Sequence, residues 1–239
     1  VFFVTELPYK CPPAPYEAAM LLDGALRRRG VRSRVSIAVV TPEPRPLSTL
    51  PEHIGAAVAG LLDQREIEYL PGRQVTRVDP GGSALYLDDT TRLDADVLIG
   101  VPPHRCPPLL IDCGLAAPDS WVTTDPETLR TGHERVFALG DCVRIPLADG
   151  GALPKAGVFA EAQARVVADN LETERAGRTP RRRFNGRGAC YLEIGGGQAG
   201  MVVADFYAAG RPEMRLRSPR PWWHWSKVWM ERRWLGRII

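Results

Sequence analysis

Cys11 is the first residue in this chain placed to do chemistry. It stands in Pro8-Tyr-Lys-Cys-Pro-Pro-Ala-Pro-Tyr-Glu17, between an apolar strand and an amphipathic helix. Pro12, Pro13 and Pro15 delay that helix and then suit its first turn, where no backbone N–H is missed. The thiol therefore falls beside Lys10 and near a positive helix N-terminus, and both favour thiolate. Spacing leaves two readings of Cys11 open: a reactive thiolate, or a small buried hydrophobe, the usual fate of a free cysteine. A dinucleotide site would carry G-x-G-x-x-G at this turn, because backbone approach to a pyrophosphate requires glycine. Prolines and a tyrosine stand there instead, which makes the turn a poor dinucleotide site. A second constellation lies downstream. Val136-Phe-Ala-Leu139 predicts a short buried strand ending in Gly140-Asp141, which would place a carboxylate to bond a sugar or ribityl hydroxyl. Pro154-Lys-Ala-Gly157 then starts a helix whose N–H groups can face an anion or an electron-rich ring edge.

The elements that must position these groups alternate along the first hundred residues. Val1–Leu7, Val35–Val40, Ile67–Leu70 and Ala95–Val101 read as strands, the first, second and last of them buried, and Tyr16–Arg29 and His53–Arg65 as helices. In the first helix Ala18, Leu21, Leu22, Ala25 and Leu26 fit a 3.6-residue period, and Gly30 ends it. Val75–Val78 and Ala84–Leu87 flank Pro80-Gly-Gly and predict a hairpin. This order implies an α/β, Rossmann-like fold with a parallel sheet. Further on, a helix is expected over about Gly157–Glu174, then two antiparallel strands, Ala189–Ile194 and Gly200–Asp205, around Gly195-Gly-Gly197. From Arg215 onward the chain holds seven Lys/Arg, one acid and five Trp. Arginine with tryptophan suits a bilayer headgroup region, although the segment read from Arg215 gives no clean apolar stripe. Peripheral attachment to a membrane surface is the favoured reading. Contact with a second copy in a homo-oligomer is its rival, and a helix packed on its own domain is the plain alternative.

Composition narrows the classes. The chain has 239 residues, 31 Lys+Arg against 28 Asp+Glu, 44% apolar and 25% charged residues. That is ordinary for a globular protein and argues against disorder, a collagen-like repeat and nucleic-acid binding. No run approaches the ~18 apolar residues of a membrane span. Five cysteines without a CxxC argue against a zinc site and a disulfide framework. His53, His104, His133 and His224 lack metal-ligand spacing and read as structural. The opening run Val1-Phe2-Phe3-Val4 does not read as a signal peptide, and it suggests the C-terminal portion of a longer protein.

Three segments together carry a resemblance. Val136-Phe-Ala-Leu-Gly-Asp141 with Ile145-Pro-Leu and Leu153-Pro-Lys-Ala-Gly-Val-Phe-Ala-Glu-Ala-Gln163 resembles the second FAD-contacting segment of two-dinucleotide-domain flavoproteins. More narrowly, it is similar to the sulfide:quinone oxidoreductases and the flavoprotein subunit of flavocytochrome c sulfide dehydrogenase. Cys11-Pro-Pro-Ala-Pro-Tyr-Glu17 and Gly188-Ala-Cys-Tyr-Leu-Glu193 resemble the same group. The resemblance implies that Cys11 and Cys190 are a redox pair flanking the flavin, joined by a disulfide or persulfide bridge. It implies that Gly140 and Asp141 bind FAD, Asp141 at the ribityl chain, and that Lys155, Ala156 and Gly157 start the helix facing the isoalloxazine. Glu17 would be a carboxylate on the sulfide side able to move protons. Tyr191 would line a quinone pocket, and Lys227 would be a quinone-side lysine. The family's pyrophosphate fingerprint would lie upstream of residue 1. Cys142 departs from the pattern and reads as packing under the flavin, with disulfide exchange as the other role open to it; Cys106 and Cys113 read as bystanders.

The implied organisation is a Rossmann-like, NAD-type second domain over 1–115, the end of an FAD-binding domain over 116–180, and a C-terminal hairpin and tail over 181–239. The implied function is FAD-dependent oxidation of sulfide or a related sulfur donor, with electrons passed to a quinone at the cytoplasmic side of a membrane. A type II NADH:quinone dehydrogenase and a non-catalytic membrane-associated binding protein are the alternatives.

Overall fold

The computed structural model describes residues 1–238, which fall into two compact units. The first comprises Val1–Pro103, Cys190–Val202 and the chain from Leu216 onward; the second comprises His104–Ala189 and Val203–Arg215.

In the first unit, strand β1 (Phe2–Val4), helix α1 (Ala14–Arg28), strand β2 (Ala38–Val40), helix α2 (Glu52–Asp63) and strand β3 (Glu68–Leu70) alternate as the sequence predicts. A three-stranded antiparallel sheet follows, made of β4 (Val75–Val78), β5 (Ala84–Leu87) and β6 (Arg92–Asp94), before strand β7 (Ile99–Val101). The main sheet has the order β3-β2-β1-β7 and every pair in it is parallel. Phe2 lies opposite both Val39 and Ile99, and β1 is buried throughout, as a central parallel strand must be. The expected buried strand at 95–101 shrinks to β7. It sits at the sheet edge, where Val97 and Ile99 are exposed.

The buried face of α1 also differs from the apolar stripe. Tyr16, Ala19, Met20, Asp23 and Gly24 are buried, whereas Leu21 and Leu22 are exposed. Two long-range demands set this rotation. Asp23 accepts from Arg27 Nε (3.0 Å) and Arg32 Nε (2.5 Å), and Arg32 also donates to the carbonyls of Val35, Arg65 and Glu66. Gly24 meets the Gly195–Gly196 backbone, where a Cβ would come within 3.0 Å of the Gly196 nitrogen. Tyr16 and Met20 pack fully buried with Ile54, Val58 and Leu62 of α2. Each such side chain stabilises the unit by about 2 kcal/mol.

The second unit holds helix α3 (Pro108–Asp112) and the long helix α4 (Gly157–Arg175). Val136–Leu139 is not a regular strand. It makes one antiparallel bridge, Arg130 to Phe137, and Gly140–Cys142 is a single 3₁₀ turn. The Gly-Asp pair thus leaves an irregular hairpin held by Ala138 N–H donating to the Leu129 carbonyl (3.1 Å). α4 fastens its surroundings with two buried amides. Gln163 Oε1 accepts from Gly140 N–H (2.7 Å), and Asn170 bonds the Arg182 backbone through both of its amide atoms. Phe159 packs edge-on against Phe184 and Phe206.

Strands β8 (Arg187–Glu193), β9 (Ala199–Asp205) and β10 (Glu213–Arg220) form a sheet in the order β10-β9-β8, and helix α5 (Pro221–Ile238) follows. Gly195, Gly196 and Gly197, all at positive φ, turn the chain from β8 into β9. Among the described residues no helix is long and apolar enough to cross a membrane.

Candidate active site

Cys11 sits in the turn that opens α1, with φ at +53°, a left-handed conformation that costs a non-glycine residue about 1–3 kcal/mol. A buried carboxylate supports that turn. The hydroxyls of Tyr9 and Tyr16, on either side of Cys11, donate to Glu43 Oε2 at 2.7 and 2.5 Å. Ser48 donates to Glu43 Oε1 from its backbone N–H (3.0 Å) and its hydroxyl (3.2 Å). The Tyr9 hydroxyl also reaches the Pro12 carbonyl (3.0 Å), closing the loop around Cys11. Burial, followed by neighbouring negative groups, drives both tyrosine pKa values upward, so the hydroxyls stay donors. No sequence pattern marks Glu43, because its two tyrosine partners lie 27 and 34 residues away in the chain.

Glu17 lies one turn into α1. Its Oε1 accepts from the backbone N–H of Glu193 in β8 (2.7 Å). Burial raises its pKa. The Glu193 N–H and Lys227 oppose the shift, and the Glu193 and Glu231 carboxylates add to it. Cys190, at the start of the same stretch of β8, has its thiol pushed up to about 11, by burial first and then by the charges of Cys11 and Glu17. Cys11, Glu17 and Cys190 are thus grouped within the first unit although 179 residues separate the two cysteines. Both are half-buried thiols.

β8 presents different chemistry on its two faces, as a period-two strand does. Leu192 and Ile194 join the core against α1 and α2, and Cys190 alternates in step with them. Tyr191 and Glu193 alternate the other way and meet α5. The Tyr191 hydroxyl shares a hydrogen bond with Ser226 Oγ (2.7 Å). Glu193, only 4% exposed, takes His224 Nδ1 on both oxygens (3.0 and 3.1 Å), and Lys227 Nζ stands 3.8 Å away. The spacing of the four histidines gives no sign of this contact, which forms only where α5 lies beside β8. Among the described residues no group of three or more His, Cys, Asp or Glu side chains is placed to hold a metal.

α5 also revises the reading of the tail. β10 runs to Arg220 and the helix begins at Pro221, so helical spacing must be counted from there. Trp222, Trp225 and Trp229 then fall at i, i+3 and i+7, exposed by 57%, 64% and 64%, with exposed Arg232 and Arg233 beside them. The polar residues His224, Ser226 and Lys227 point inward and the tryptophans outward.

The other sequence-predicted residues lie in the second unit. Gly140 turns at φ +72°, with its Cβ position 3.3 Å from Ala160. Lys155 Nζ donates to the carbonyls of Asp141 (2.6 Å) and Val143 (2.8 Å) and stacks 3.5 Å over the Trp121 ring. Burial lowers its pKa to about 8, against the attraction of Asp141. Cys142 also has its pKa raised by burial, and its Sγ contacts the Leu139 carbonyl. α4 begins at Gly157 behind an extended Ala156, with no side-chain cap and no acid in its first turn. Gly140, Val143, Leu153, Lys155, Ala156 and Phe159 line a shallow cleft, open to solvent, at this helix start. Nothing stands within 4 Å of the Cβ position of Gly157. Uncapped N–H groups opening into a cleft are a donor set for an electron-rich ring edge, so these residues fit a flavin.

The chain matches the model of the pyridine nucleotide-disulphide oxidoreductase family over residues 15–164. It belongs to that family. FAD is the family's cofactor. A curated relative, the sulfide-quinone reductase of Aquifex aeolicus (strain VF5), is 23% identical over 241 residues, covering 95% of this chain and 55% of the relative. The X-ray structure of the Aquifex aeolicus sulfide:quinone oxidoreductase superposes with a TM-score of 0.82 at 20% identity, over 99% of this chain and 58% of that one. The putidaredoxin reductase–putidaredoxin complex gives a TM-score of 0.59 at 19% identity, over 85% of this chain and 46% of that one. The α/β fold of the family and the resemblance noted from three sequence segments are thereby borne out. The chain spans a little over half the length of the relative it matches.

Proposed function

We propose that this chain carries the sulfur-oxidising pair and the acceptor-side groups of an FAD-dependent sulfide:quinone oxidoreductase. The grouping of Cys11, Glu17 and Cys190 carries the reading. With the pair oxidised to a disulfide, hydrosulfide attacks the Cys190 sulfur. An S–S bond forms there, the Cys11–Cys190 bond breaks, and Cys11 leaves as thiolate. The direction follows from leaving-group ability. Burial and two neighbouring charges raise the Cys190 pKa to about 11, which makes it the poorer leaving group, while Cys11 leaves beside a helix N-terminus. Glu17 takes the proton of the resulting Cys190 persulfide. Gly140, Asp141, Lys155, Ala156 and Gly157 would hold FAD, which when bound takes an electron pair from a donor and yields it to an acceptor. Tyr191 and Lys227 stand on the other face of β8 and serve the quinone. The outward tryptophans of α5, with arginines beside them, suit a helix lying in the headgroup region of a bilayer, where a quinone is reached.

Anaerobic titration of the full-length, FAD-loaded protein tests the reading. Sulfide is expected to bleach the flavin, and Cys11→Ser and Cys190→Ser to slow this by about three orders of magnitude or more. Bleaching by NADH and not by sulfide overturns it in favour of a nicotinamide-dependent quinone reductase. For α5, flotation with anionic vesicles is expected to be lost when Trp222, Trp225 and Trp229 are replaced by serine. Failure of the wild type to float, with a dimer that dissociates in the same triple variant, makes the face an oligomer contact.

A further inference from the structure

Reduction of a quinone to a quinol consumes two protons as well as two electrons, so the acceptor side needs proton donors of its own. Glu17 accepts from the Glu193 backbone N–H on the α1 side and lies within electrostatic reach of Lys227 and Glu231. The Glu193 side chain, on the face of β8 that meets α5, gathers protonatable groups of its own. Glu193 is a buried carboxylate with two cationic or protonatable side chains from α5 converging on it, His224 at 3.0 Å and Lys227 at 3.8 Å. The His224 and Lys227 side chains are 28% and 26% exposed, so they remain in touch with water while Glu193 does not. Lys227 also pairs with the outer carboxylate of Glu231 (3.6 Å). Other polar groups around Glu193 are Glu17 from α1, the Arg65 side chain that donates to the neighbouring Ile194 carbonyl (3.0 Å), and Tyr191 bonded to Ser226. No basic side chain other than these two α5 residues is hydrogen-bonded or ion-paired to the Glu193 carboxylate among the described contacts.

We propose that Glu193, His224 and Lys227 form the proton-delivering group of the acceptor side. The inference rests on the quinone reading above and assigns two residues that neither the sequence segments nor the comparisons single out. The quinone takes two electrons from the reduced cofactor and two protons, one from the His224 imidazolium and one from the Lys227 ammonium. The product is the quinol. The neutral imidazole and amine recover their protons from solvent along their exposed edges. Glu193 is a positioning residue: it fixes both donors at one place.

The test uses the full-length, FAD-loaded protein reduced with dithionite, so that the sulfur step is not at issue, and mixed with a soluble short-chain quinone in stopped flow. Wild-type reoxidation is expected to slow as pH rises and the imidazolium is lost. His224→Gln is expected to be about tenfold slower at low pH and to lack that limb. Glu193→Gln is expected to lower the rate by releasing both donors, and Glu193→Asp to restore part of it. Independently of turnover, a redox-inert hydroxyquinone anion, followed by tryptophan quenching, is expected to bind more weakly at high pH to the wild type but with pH-independent affinity to His224→Gln. Wild-type rates with the full pH limb in both His224→Gln and Glu193→Gln overturn the inference. Failure of sulfide to reduce a wild-type protein that quinone still reoxidises overturns only the sulfur reading. A wild type that no quinone reoxidises overturns both.

Discussion

Two helix starts in this molecule are built for opposite purposes. The start of α1 is filled: prolines occupy its approach, Tyr9 and Tyr16 close over Glu43, and Glu17 places a carboxylate in the first turn. The start of α4 is open: Gly157 leads it, no side chain caps it, no acid stands in its first turn, and a cleft lies against it. A helix N-terminus offers the same partial positive charge in both places. On the proposed function, what surrounds it decides whether that charge acts on a sulfur of the chain or on a bound ring.

Predictions that exchange these properties sharpen the contrast. The largest effect is expected at the filled start. Glu43→Gln keeps the shape but removes the charge that receives four donors, and should lower unfolding free energy by about 2–3 kcal/mol in urea titrations. An unchanged midpoint would mean that the Cys11 turn does not depend on Glu43. Next comes the open start. Gly157→Asp adds to α4 the first-turn acid that α1 already has, and should weaken FAD binding about tenfold, read by equilibrium dialysis. Undiminished FAD affinity would remove the helix start from the cofactor site.

Lys155 supplies a third and smaller effect. Its pKa falls to about 8 in the folded chain from 10.5, so between those values the unfolded chain binds more protons. Stability should therefore rise from about pH 8 towards pH 10.5, and Lys155→Met should flatten the rise in thermal melts. The smallest effect belongs to Glu17→Gln. Removing that carboxylate should lower the Cys190 pKa from about 11 while leaving it above the ordinary thiol value, because burial is the larger cause. Ultraviolet thiolate absorbance against pH measures it in a Cys11→Ser background, where the charge of Cys11 is also gone.

The alternation of strands and helices was legible from the chain because it is written in local periodicity: β1, β2 and both crossover helices fall where apolar spacing puts them. The Cys11 turn and the Lys155–Gly157 helix start were legible because prolines and glycine constrain backbone within a few residues. What local pattern hid was set by distant partners. The buried face of α1 turned away from Leu21 and Leu22 because Arg32 and the Gly195 turn claim Asp23 and Gly24. Val136–Leu139 looked like a strand, but its partner is the irregular segment at 129–131. The tyrosine clamp on Glu43 and the His224–Glu193 pair left no trace at short range, since their partners lie 27 and 34 residues away in the first and 31 in the second.

The alternation along β8 has a consequence for how the chain tolerates length changes. Cys190 and Tyr191 are adjacent in sequence, yet they sit on a strand whose successive side chains point to opposite faces. A single-residue deletion or insertion between 189 and 193 would exchange the faces of every side chain beyond it, turning Glu193 toward the core and Leu192 toward α5. Substitutions there remove one group, whereas an indel rewires the site. The glycine turn at 195–197, which ends the strand, is itself packed against Gly24 of α1, so neither side of this junction has slack. Natural variants of this chain should therefore keep its length from 189 through the turn.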